Sequence, residues 1–345
     1  FLPFKNLGLV IVDEEHETSY KQNEPAPRYH ARDTAIMLAH LFKAKTILGS
    51  ATPSLESYNN AINGKYGFVS LKERYNNLLM PEIKIENTYE LIKRKKMKTV
   101  LAPALKTTMQ QVLEAGEQVI LFRNRRGFSS LIECKQCAWN PKCNKCDVTL
   151  TYHKMRNRLV CHYCNTTYKM PSVCPSCQSD TLDTLGKGTE QLEEEVCKLF
   201  PNYVVGRMDM DTTRGKNSYD KIIEKFQEKQ IDILVGTQML SKGLDFENVG
   251  VVGIISADSL LNYPDFRSHE RGFQLMMQAA GRAGRKKQQG KVIIQSSDPT
   301  QPIYSHILNY NYEGFYTEQI TERKLFRYPP FTRLICIVFK DKNEN

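Results

Sequence analysis

Long apolar runs are missing from this sequence. The longest, Val249 to Ile255, is seven residues even counting its glycines, against the roughly 18 that a membrane-spanning helix requires. A charged n-region, an apolar h-region and a small-residue cleavage site are also missing, so nothing points to secretion. Internal repeats and low-complexity tracts are absent, which excludes solenoids and fibrous arrays. Acidic residues are outnumbered, 38 against 48 basic ones, leaving a net charge of +10. That balance tilts the expected partner toward nucleic acid, though only weakly, because many basic proteins bind nothing anionic. What is present, 345 residues at 41% hydrophobic and 25% charged, suits a globular chain of about two domains with a sizeable core. No methionine opens the chain. A short apolar run at residues 7–12 follows Phe1 almost at once, and the chain stops just after another at residues 334–339, so a piece of a longer protein is expected.

The cysteines carry the strongest local signal. Of ten, eight form four C-x-x-C pairs, Cys134/Cys137, Cys143/Cys146, Cys161/Cys164 and Cys174/Cys177, separated by 5, 14 and 9 residues. Disulfides lack the export signal that an oxidising compartment would require. A redox C-x-x-C accounts for one pair, not for four in succession. Two structural Zn²⁺ sites with four cysteine ligands each fit the spacing. The 14-residue gap is close to that of a zinc ribbon, and the five-residue gap is cramped for two knuckles facing one ion. Pairing second with third leaves first with fourth, a nested arrangement whose main competitor is the crossed one. His153 and His162 are read as non-ligands, since every paired Cys already has a partner. Segment 123–187 holds 11 Lys/Arg and 4 Asp/Glu, so +7 falls to about +3 once two such sites form. Cys197 and Cys336 sit in apolar helix-like and strand-like contexts, where buried structural thiols are the default.

Elsewhere short apolar strands alternate with helix-length amphipathic segments. Candidate strands are residues 7–12, 46–48, 118–122, 203–205, 231–235, 249–255 and 292–295; candidate helices include 29–42, 190–200, 219–228 and 270–280. This rhythm predicts an α/β fold with a parallel sheet. The knuckles interrupt it after Phe122 and it resumes near Gly188, so they read as an insertion. Residues 74–98, with a basic cluster from Lys93 to Lys98, read as a solvated linker.

Ligands of open α/β sheets gather beyond the carboxyl ends of strands. Directly after residues 7–12 comes Asp13-Glu14-Glu15-His16. A carboxylate emerging from a buried strand can hold a hydrated Mg²⁺, and its neighbour can orient or deprotonate an attacking water. By itself the run is equally an exposed acidic turn. Gly49-Ser50-Ala51-Thr52-Pro53, taken alone, is a small-residue turn capping a helix. Gly236-Thr237-Gln238 follows another strand, with Lys242-Gly243-Leu244-Asp245 behind it. Gln278 through Arg285 ends a helix with Arg282 and Arg285 three residues apart, suited to the spread charge of a transferring phosphoryl group. The bland alternative is a basic helix end complementing the macrodipole.

In this order the motifs D-E-E-H, G-S-A-T, G-T-Q-M-L-S-K-G-x-D-F and Q-x-x-G-R-A-G-R resemble motifs II, III, V and VI of superfamily 2 helicases. With Asn124-Arg125-Arg126-Gly127-Phe128 and the four C-x-x-C pairs inside the second lobe, the chain resembles the bacterial replication-restart helicases from Val12 to about Phe331. The resemblance implies RecA-like helicase lobes, the first one partial, with an inserted two-zinc cysteine-rich domain. It divides the chain into residues 1–90, the C-terminal part of lobe 1; 91–130 and 184–309, lobe 2; 131–183, the zinc insertion; and 310–345, the start of a C-terminal domain. An ATP-dependent 3′–5′ DNA helicase is implied, acting at stalled or repaired forks and initiating primosome assembly. Forked and single-stranded DNA, primosome proteins, single-stranded-DNA-binding protein and the replicative helicase are its implied partners. A monomer in the bacterial cytoplasm, associated with the nucleoid and not with membrane, is implied as well.

Residue by residue, the resemblance makes Asp13 the Mg²⁺ ligand by way of water and Glu14 the base for the hydrolytic water. It makes Arg285 the arginine finger for ATP, with Arg282 and Gln278 beside it. Ser50-Ala51-Thr52 resembles the element coupling hydrolysis to unwinding. Thr237, Gln238, Lys242 and Asp245 match the motif touching DNA backbone and nucleotide. Tyr20 through Arg32, with Pro25, Pro27, Tyr29 and His30, resembles an aromatic-rich loop sensing single strands, as stacking on aromatic faces allows; its bland reading is a rigid Pro-containing loop. The family's metal pattern nests the pairs, Cys134, Cys137, Cys174 and Cys177 on one Zn²⁺ and Cys143, Cys146, Cys161 and Cys164 on the other.

One departure stands out. No G-x-x-x-x-G-K-[ST] phosphate loop occurs; Gly186-Lys187-Gly188-Thr189 is similar, but the residue five before Gly186 is Thr181 and no core strand precedes it. The parent is therefore expected to be an enzyme and this chain inactive alone. A functional alternative of another class is a zinc-bearing DNA-binding or protein-docking scaffold without ATPase activity, against which the D-E-E-H and Q-x-x-G-R-A-G-R motifs speak.

Overall fold

Parallel strands with helical crossovers organise most of the chain. The computed structural model describes residues 4–22, 27–71, 79–123, 130–137, 139–145, 148–153, 157–161, 164, 166–185, 189–209, 212, 218–237, 246–263, 265–284 and 289–335. The chain folds as two compact units, Phe1–Lys72 with Tyr312–Asn345, and Glu73–Asn311.

The first unit opens with β1 (Leu9–Val12), α1 (Ala31–Leu41), β2 (Lys45–Leu48) and α2 (Leu55–Ile62). β1 and β2 pair in parallel from Leu9↔Lys45 to Val12↔Leu48, with α1 as the crossover that a parallel pair needs. Ser54 caps α2, its hydroxyl accepting from the Ser57 amide at 3.3 Å, which satisfies one of the orphan donors of the first turn.

The second unit begins with β3 (Glu82–Asn87), α3 (Thr88–Lys93), α4 (Pro103–Glu114) and β4 (Gln118–Arg123). Next come β5 (Ser130–Cys134), β6 (Thr151–His153), β7 (Arg158–Val160), β8 (Thr167–Lys169) and β9 (Leu182–Leu185). The α/β rhythm resumes with α5 (Thr189–Leu199), β10 (Val205–Met208), α6 (Ser218–Gln227), β11 (Ile233–Gly236) and β12 (Val249–Ile255). It finishes with α7 (Asp258–Leu261), α8 (Ser268–Ala280), β13 (Lys291–Ser296) and α9 (Pro302–Leu308). Six parallel strands form one sheet, β10-β11-β4-β12-β13-β3, and the inserted strands form an antiparallel sheet, β8-β7-β6-β5-β9. β4 reads Q-V-I-L-F-R with its first five residues buried, the continuous burial expected of a central parallel strand covered on both faces. Leu105, Met109, Val112 and Leu113 of α4 pack on Val119 and Leu121 of β4, together with Leu192 and Val196 of α5 and Ile233 and Val235 of β11. Gly253 is required where α4 meets β12: a Cβ there would fall 2.8 Å from Leu121 Cδ2 and 2.9 Å from Leu105 Cδ2.

Two boundaries differ from expectation. Residues 74–98 read as a linker, yet β3 pairs in register with β13 from Glu82↔Lys291 to Asn87↔Ser296, so residues 82–87 belong to the sheet of the second unit, which begins at Glu73. The period-2 alternation of Ile83 and Ile85 among Glu82, Lys84 and Glu86 was the signal, masked by charges that suit an edge strand. Likewise α10 (Tyr312–Leu325), expected to begin a separate domain, packs on α2. Its Tyr312 and Tyr316 hydroxyls donate to the Pro53 carbonyl (2.8 Å) and Asn59 Oδ1 (3.0 Å), and buried Arg323 reaches Glu56 at 3.1 Å. Cys197, expected to be buried, is exposed; α5 turns Leu192 and Val196 inward and leaves the next position outward.

Candidate functional site

Four knuckles of the insertion share one backbone device. In each, the amide of the first cysteine donates to the carbonyl five residues on: Cys134 to Trp139 (2.8 Å), Cys143 to Val148 (2.8 Å), Cys161 to Thr166 (3.0 Å) and Cys174 to Ser179 (2.7 Å). In the first, third and fourth pairs, where both cysteines are described, the two sulfurs of a pair fall in one cluster. Sγ atoms of Cys134, Cys137, Cys174 and Cys177 all lie within 4.8 Å of one another, and so do those of Cys143, Cys161 and Cys164. Sulfur–sulfur distances include 3.5 Å (Cys134–Cys177), 3.6 Å (Cys137–Cys174) and 3.6 Å (Cys143–Cys164). Disulfides need about 2.05 Å. A tetrahedron of Zn–S bonds about 2.3 Å long has edges of roughly 3.8 Å, so the donor set fits zinc. The arrangement is nested, first pair with fourth; Cys146 lies outside the described residues, as does His162, and the His153 side chain is likewise undescribed. Tyr168 lies with its hydroxyl 3.2 Å from Cys143 Sγ and accepts from the Asn144 amide at 3.2 Å, orienting a ligand from outside the metal's own shell. The insertion's apolar core is small, built on Ile132, Leu150, Leu159, Cys143 and Cys161, and a core of that size ordinarily relies on metal. Burial and then the charge of Asp258 raise the Glu133 carboxyl to about 7.

In the first unit, the β1–β2 ladder continues past its last strand residues. Gly49 donates to Val12 (2.9 Å) and Glu15 to Gly49 (3.0 Å), which sets the acidic turn beside the small-residue turn. Asp13 is exposed, and its Oδ1 accepts the Glu14 amide at 2.9 Å. Glu14 takes a left-handed φ of 46°, uncommon for a side chain of its size and the kind of strain found at working sites. His16, its side chain buried, places Nδ1 2.7 Å from Ser50 Oγ and 3.6 Å from Glu14 Oε2. Ser50 Oγ also accepts the Thr52 amide at 3.0 Å.

Glu15, assigned no role from sequence, is the hub. Its carboxylate accepts from Arg32 Nη1 (2.7 Å), the Ser54 amide (2.6 Å), Ser54 Oγ (3.0 Å) and Ser57 Oγ (2.8 Å). The signal was weak: an acidic residue three positions past an apolar strand, facing the S-x-x-S start of a helix. Tyr20 donates its hydroxyl to the Asp13 carbonyl at 2.7 Å. Partial burial and the nearby carboxylates of Asp13, Glu17 and Glu14 raise its pKa, so it stays a donor. The loop is closed by Gln22 donating to Tyr29 (3.0 Å) and Lys21 Nζ to Arg28 (2.6 Å). Tyr29 is exposed; His30 is half-buried, its pKa lowered by burial and by Arg32. Pro25 lies outside the described residues.

In the second unit, Gln278 sits in the last turn of α8 and Arg282 just beyond, both half-buried. The turn is fixed by Arg282 donating to Ala279 (3.1 Å) and Gly284 to Val249 (3.0 Å). Gly290 permits its approach, since a Cβ there would fall 2.4 Å from Gly284 N. Thr237 directly follows β11 and donates to Met208 at 3.4 Å. Arg285, Gln238, Lys242, Asp245, residues 124–128, residues 186–188 and Cys336 lie outside the described residues. Sequence reading also missed Asp209, fully buried, which accepts from Thr189 Oγ1 and from the Thr212 amide at 3.0 Å.

Comparisons with known proteins match this arrangement. A family described as helicase conserved C-terminal domain matches residues 174–287, and one described as PriA DNA helicase Cys-rich region domain matches residues 143–169. The replication restart protein PriA of Bacillus subtilis is 44% identical over 337 residues, 98% of this chain and 42% of the relative. That of Chlamydia pneumoniae is 44% identical over 347 residues, 99% and 46%; that of Synechocystis is 40% identical over 352 residues, 100% and 42%. The chain thus spans less than half the length of these relatives. RecA-like α/β architecture with an inserted cysteine-rich zinc-ribbon domain describes the chain.

Proposed function

From its membership in the PriA family, as a segment of a longer protein, we propose that this chain is the catalytic middle of an ATP-dependent 3′–5′ DNA helicase. Its parent recognises stalled or repaired replication forks and starts replication restart by assembling the primosome. In this reading Phe1–Lys72 is the C-terminal part of helicase lobe 1, and the parallel sheet of Glu73–Asn311 is lobe 2. Asp13 holds hydrated Mg²⁺, Glu14 takes the proton of the hydrolytic water, and Arg282, Arg285 and Gln278 face the γ-phosphate. Mg²⁺ and ATP supply, respectively, charge neutralisation and the phosphoryl group. Eight cysteines hold two Zn²⁺, which here serve structure rather than chemistry. Tyr20, Tyr29 and His30 meet single-stranded DNA, and Thr237, Gln238 and Lys242 its backbone. Forked DNA, primosome proteins, single-stranded-DNA-binding protein and the replicative helicase are the partners, met by a monomer at the bacterial nucleoid.

The observation that carries this reading is the joining of the D-E-E-H turn to the G-S-A-T turn through His16 and Ser50. A fold that only scaffolds DNA has no use for a strained carboxylate coupled to a second turn. The test is unwinding of a forked duplex by the full-length protein. Loss of unwinding in Glu14→Gln with retained fork binding supports the reading; equal unwinding by both proteins sinks it.

A further inference from the structure

Between the cysteine-rich insertion and the edge of the six-stranded sheet lies a cleft of about 490 Å³, lined by Tyr89, Cys137, Trp139, Asn140, Lys142, Asn144, Ser297 and Asp298. Its floor follows from the register of two neighbouring strands. β3 and β13 end side by side at Asn87↔Ser296; beyond these carboxyl ends the chain presents Tyr89 in the first turn of α3, and Ser297 and Asp298. That is where open α/β sheets hold ligands. The first knuckle forms the roof, with Trp139 tied by its carbonyl to the Cys134 amide at 2.8 Å. Buried Asp258 fixes the floor, accepting from Ser296 Oγ and the Ser297 amide, both at 2.7 Å.

We propose that this cleft is a binding site for an unpaired nucleotide of single-stranded DNA, with the base inside and the phosphates outside. It rests on the reading that the chain binds DNA. The volume falls in the range of about 300–1,000 Å³ typical of small-ligand clefts. Two aromatic residues, Trp139 and Tyr89, line it, the latter with Lys93 Nζ 5.9 Å from its ring centroid; aromatic rings stack on any base. The amides of Asn140 and Asn144 and the carboxylate of Asp298 offer hydrogen-bond partners to base edges. Electrostatics decides the orientation. A divalent ion held by four thiolates carries about −2; Cys137 brings that charge to the wall, and Asp298 adds another. A phosphate is repelled from such an interior, whereas a neutral base is not. Exposed Lys142 on the lining, with exposed Lys135 and Lys145 near it in sequence, suits a backbone passing along the rim.

Trp139 is the sole tryptophan of the chain, so its emission reports the cleft directly. Titration of the zinc-loaded chain with an oligodeoxythymidylate should quench it saturably, and blunt duplex DNA should not. Tyr89→Ala should weaken the midpoint roughly 5- to 150-fold, the range that loss of one stacking partner gives, with zinc content unchanged. As a measurement independent of that variant's folding, an iododeoxyuridine oligonucleotide should photocross-link to the peptide holding Trp139 or Tyr89. Anisotropy of a labelled oligonucleotide separates the outcomes. Binding by anisotropy with flat Trp139 emission and cross-links elsewhere overturns the cleft and leaves the DNA reading standing. Equal quenching by duplex also overturns it. No binding by either readout sinks both readings.

Discussion

His16 Nδ1 and Ser50 Oγ lie 2.7 Å apart across 34 residues of sequence, and this side-chain bond joins the Glu15–Gly49 backbone bond in holding two strand-end turns of the first unit together. Both turns leave adjacent parallel strands, and in the proposed reading a displacement of the acidic turn would reach the helix that Ser54 caps. In the full-length protein, Ser50→Ala is expected to reduce unwinding more than ATP hydrolysis. Losing that bond at a buried imidazole costs about 1–3 kcal/mol. Parallel measurement of phosphate release and strand separation checks it; an equal fall in both would assign Ser50 to catalysis rather than coupling.

Glu15 is expected to matter for folding instead. Its carboxylate is almost wholly buried against Arg32, Ser54 and Ser57. Truncation removes one of the two carboxylates on Arg32, Asp33 Oδ1 staying 2.8 Å from its Nε, and strips the buried Ser54 amide of its acceptor, which costs about 1–3 kcal/mol. Glu15→Ala should therefore lower the urea midpoint of the first unit strongly, and Glu15→Gln less, because the amide keeps part of the acceptor set. Equal midpoints for Glu15→Ala and the parent chain would remove the hub role.

Two Zn²⁺ per chain are expected from the grouped sulfurs. Elemental analysis after purification without chelators should return two, and a Cys143→Ser variant should return one, since each site closes independently. Chelation should unfold the antiparallel sheet, because its apolar core is too small to persist alone. One metal or fewer in the parent chain contradicts the assignment.

In the proposed reading Tyr20 has two separable roles. Its hydroxyl holds the Asp13 carbonyl, and its ring is proposed to stack on a base. In the full-length protein, Tyr20→Phe should preserve DNA affinity and lower basal hydrolysis modestly. Replacing Tyr20 and Tyr29 together by Ala should cut the DNA-stimulated rate more than the basal one, with affinity weakened by about 1–3 kcal/mol per lost stacking ring. Stimulation unchanged at saturating DNA would leave the loop a structural element.

Residues 1–345 alone should not turn over ATP above background, with or without single-stranded DNA. Asp13, Glu14 and Arg285 are in the sequence, but the backbone cradle and lysine for the β- and γ-phosphates are not. Such groups act cooperatively, so omitting one costs far more than a fraction of the rate. Phosphate release at millimolar ATP, with Glu14→Gln as control, decides it; turnover abolished by that substitution would place the phosphate site within this chain.

Much of the second unit was legible residue by residue. Strands β4, β11 and β12 are continuous apolar runs because both faces of a parallel sheet are covered, and that pattern needs no tertiary knowledge. β3 was not legible, because an edge strand carries charges on its open side and only its pairing with β13 distinguishes it from a linker. The same holds for α10, whose few inward residues, Phe315, Gln319 and Arg323, identify a partner only once α2 stands opposite.

By itself, then, the sequence determined the chemistry: eight thiols in four equal knuckles, carboxylates at one strand end, arginines at one helix end. These are matters of residue type and short spacing, which local geometry alone fixes. Tertiary structure decided how distant pieces meet. It set the nested grouping of sulfurs across a 37-residue separation, the burial of Glu15 rather than Asp13, and the meeting of Tyr89 with Trp139 around one cleft. Each depends on strand register and on which faces pack. Those are settled by the global burial of apolar surface, which no window of sequence contains.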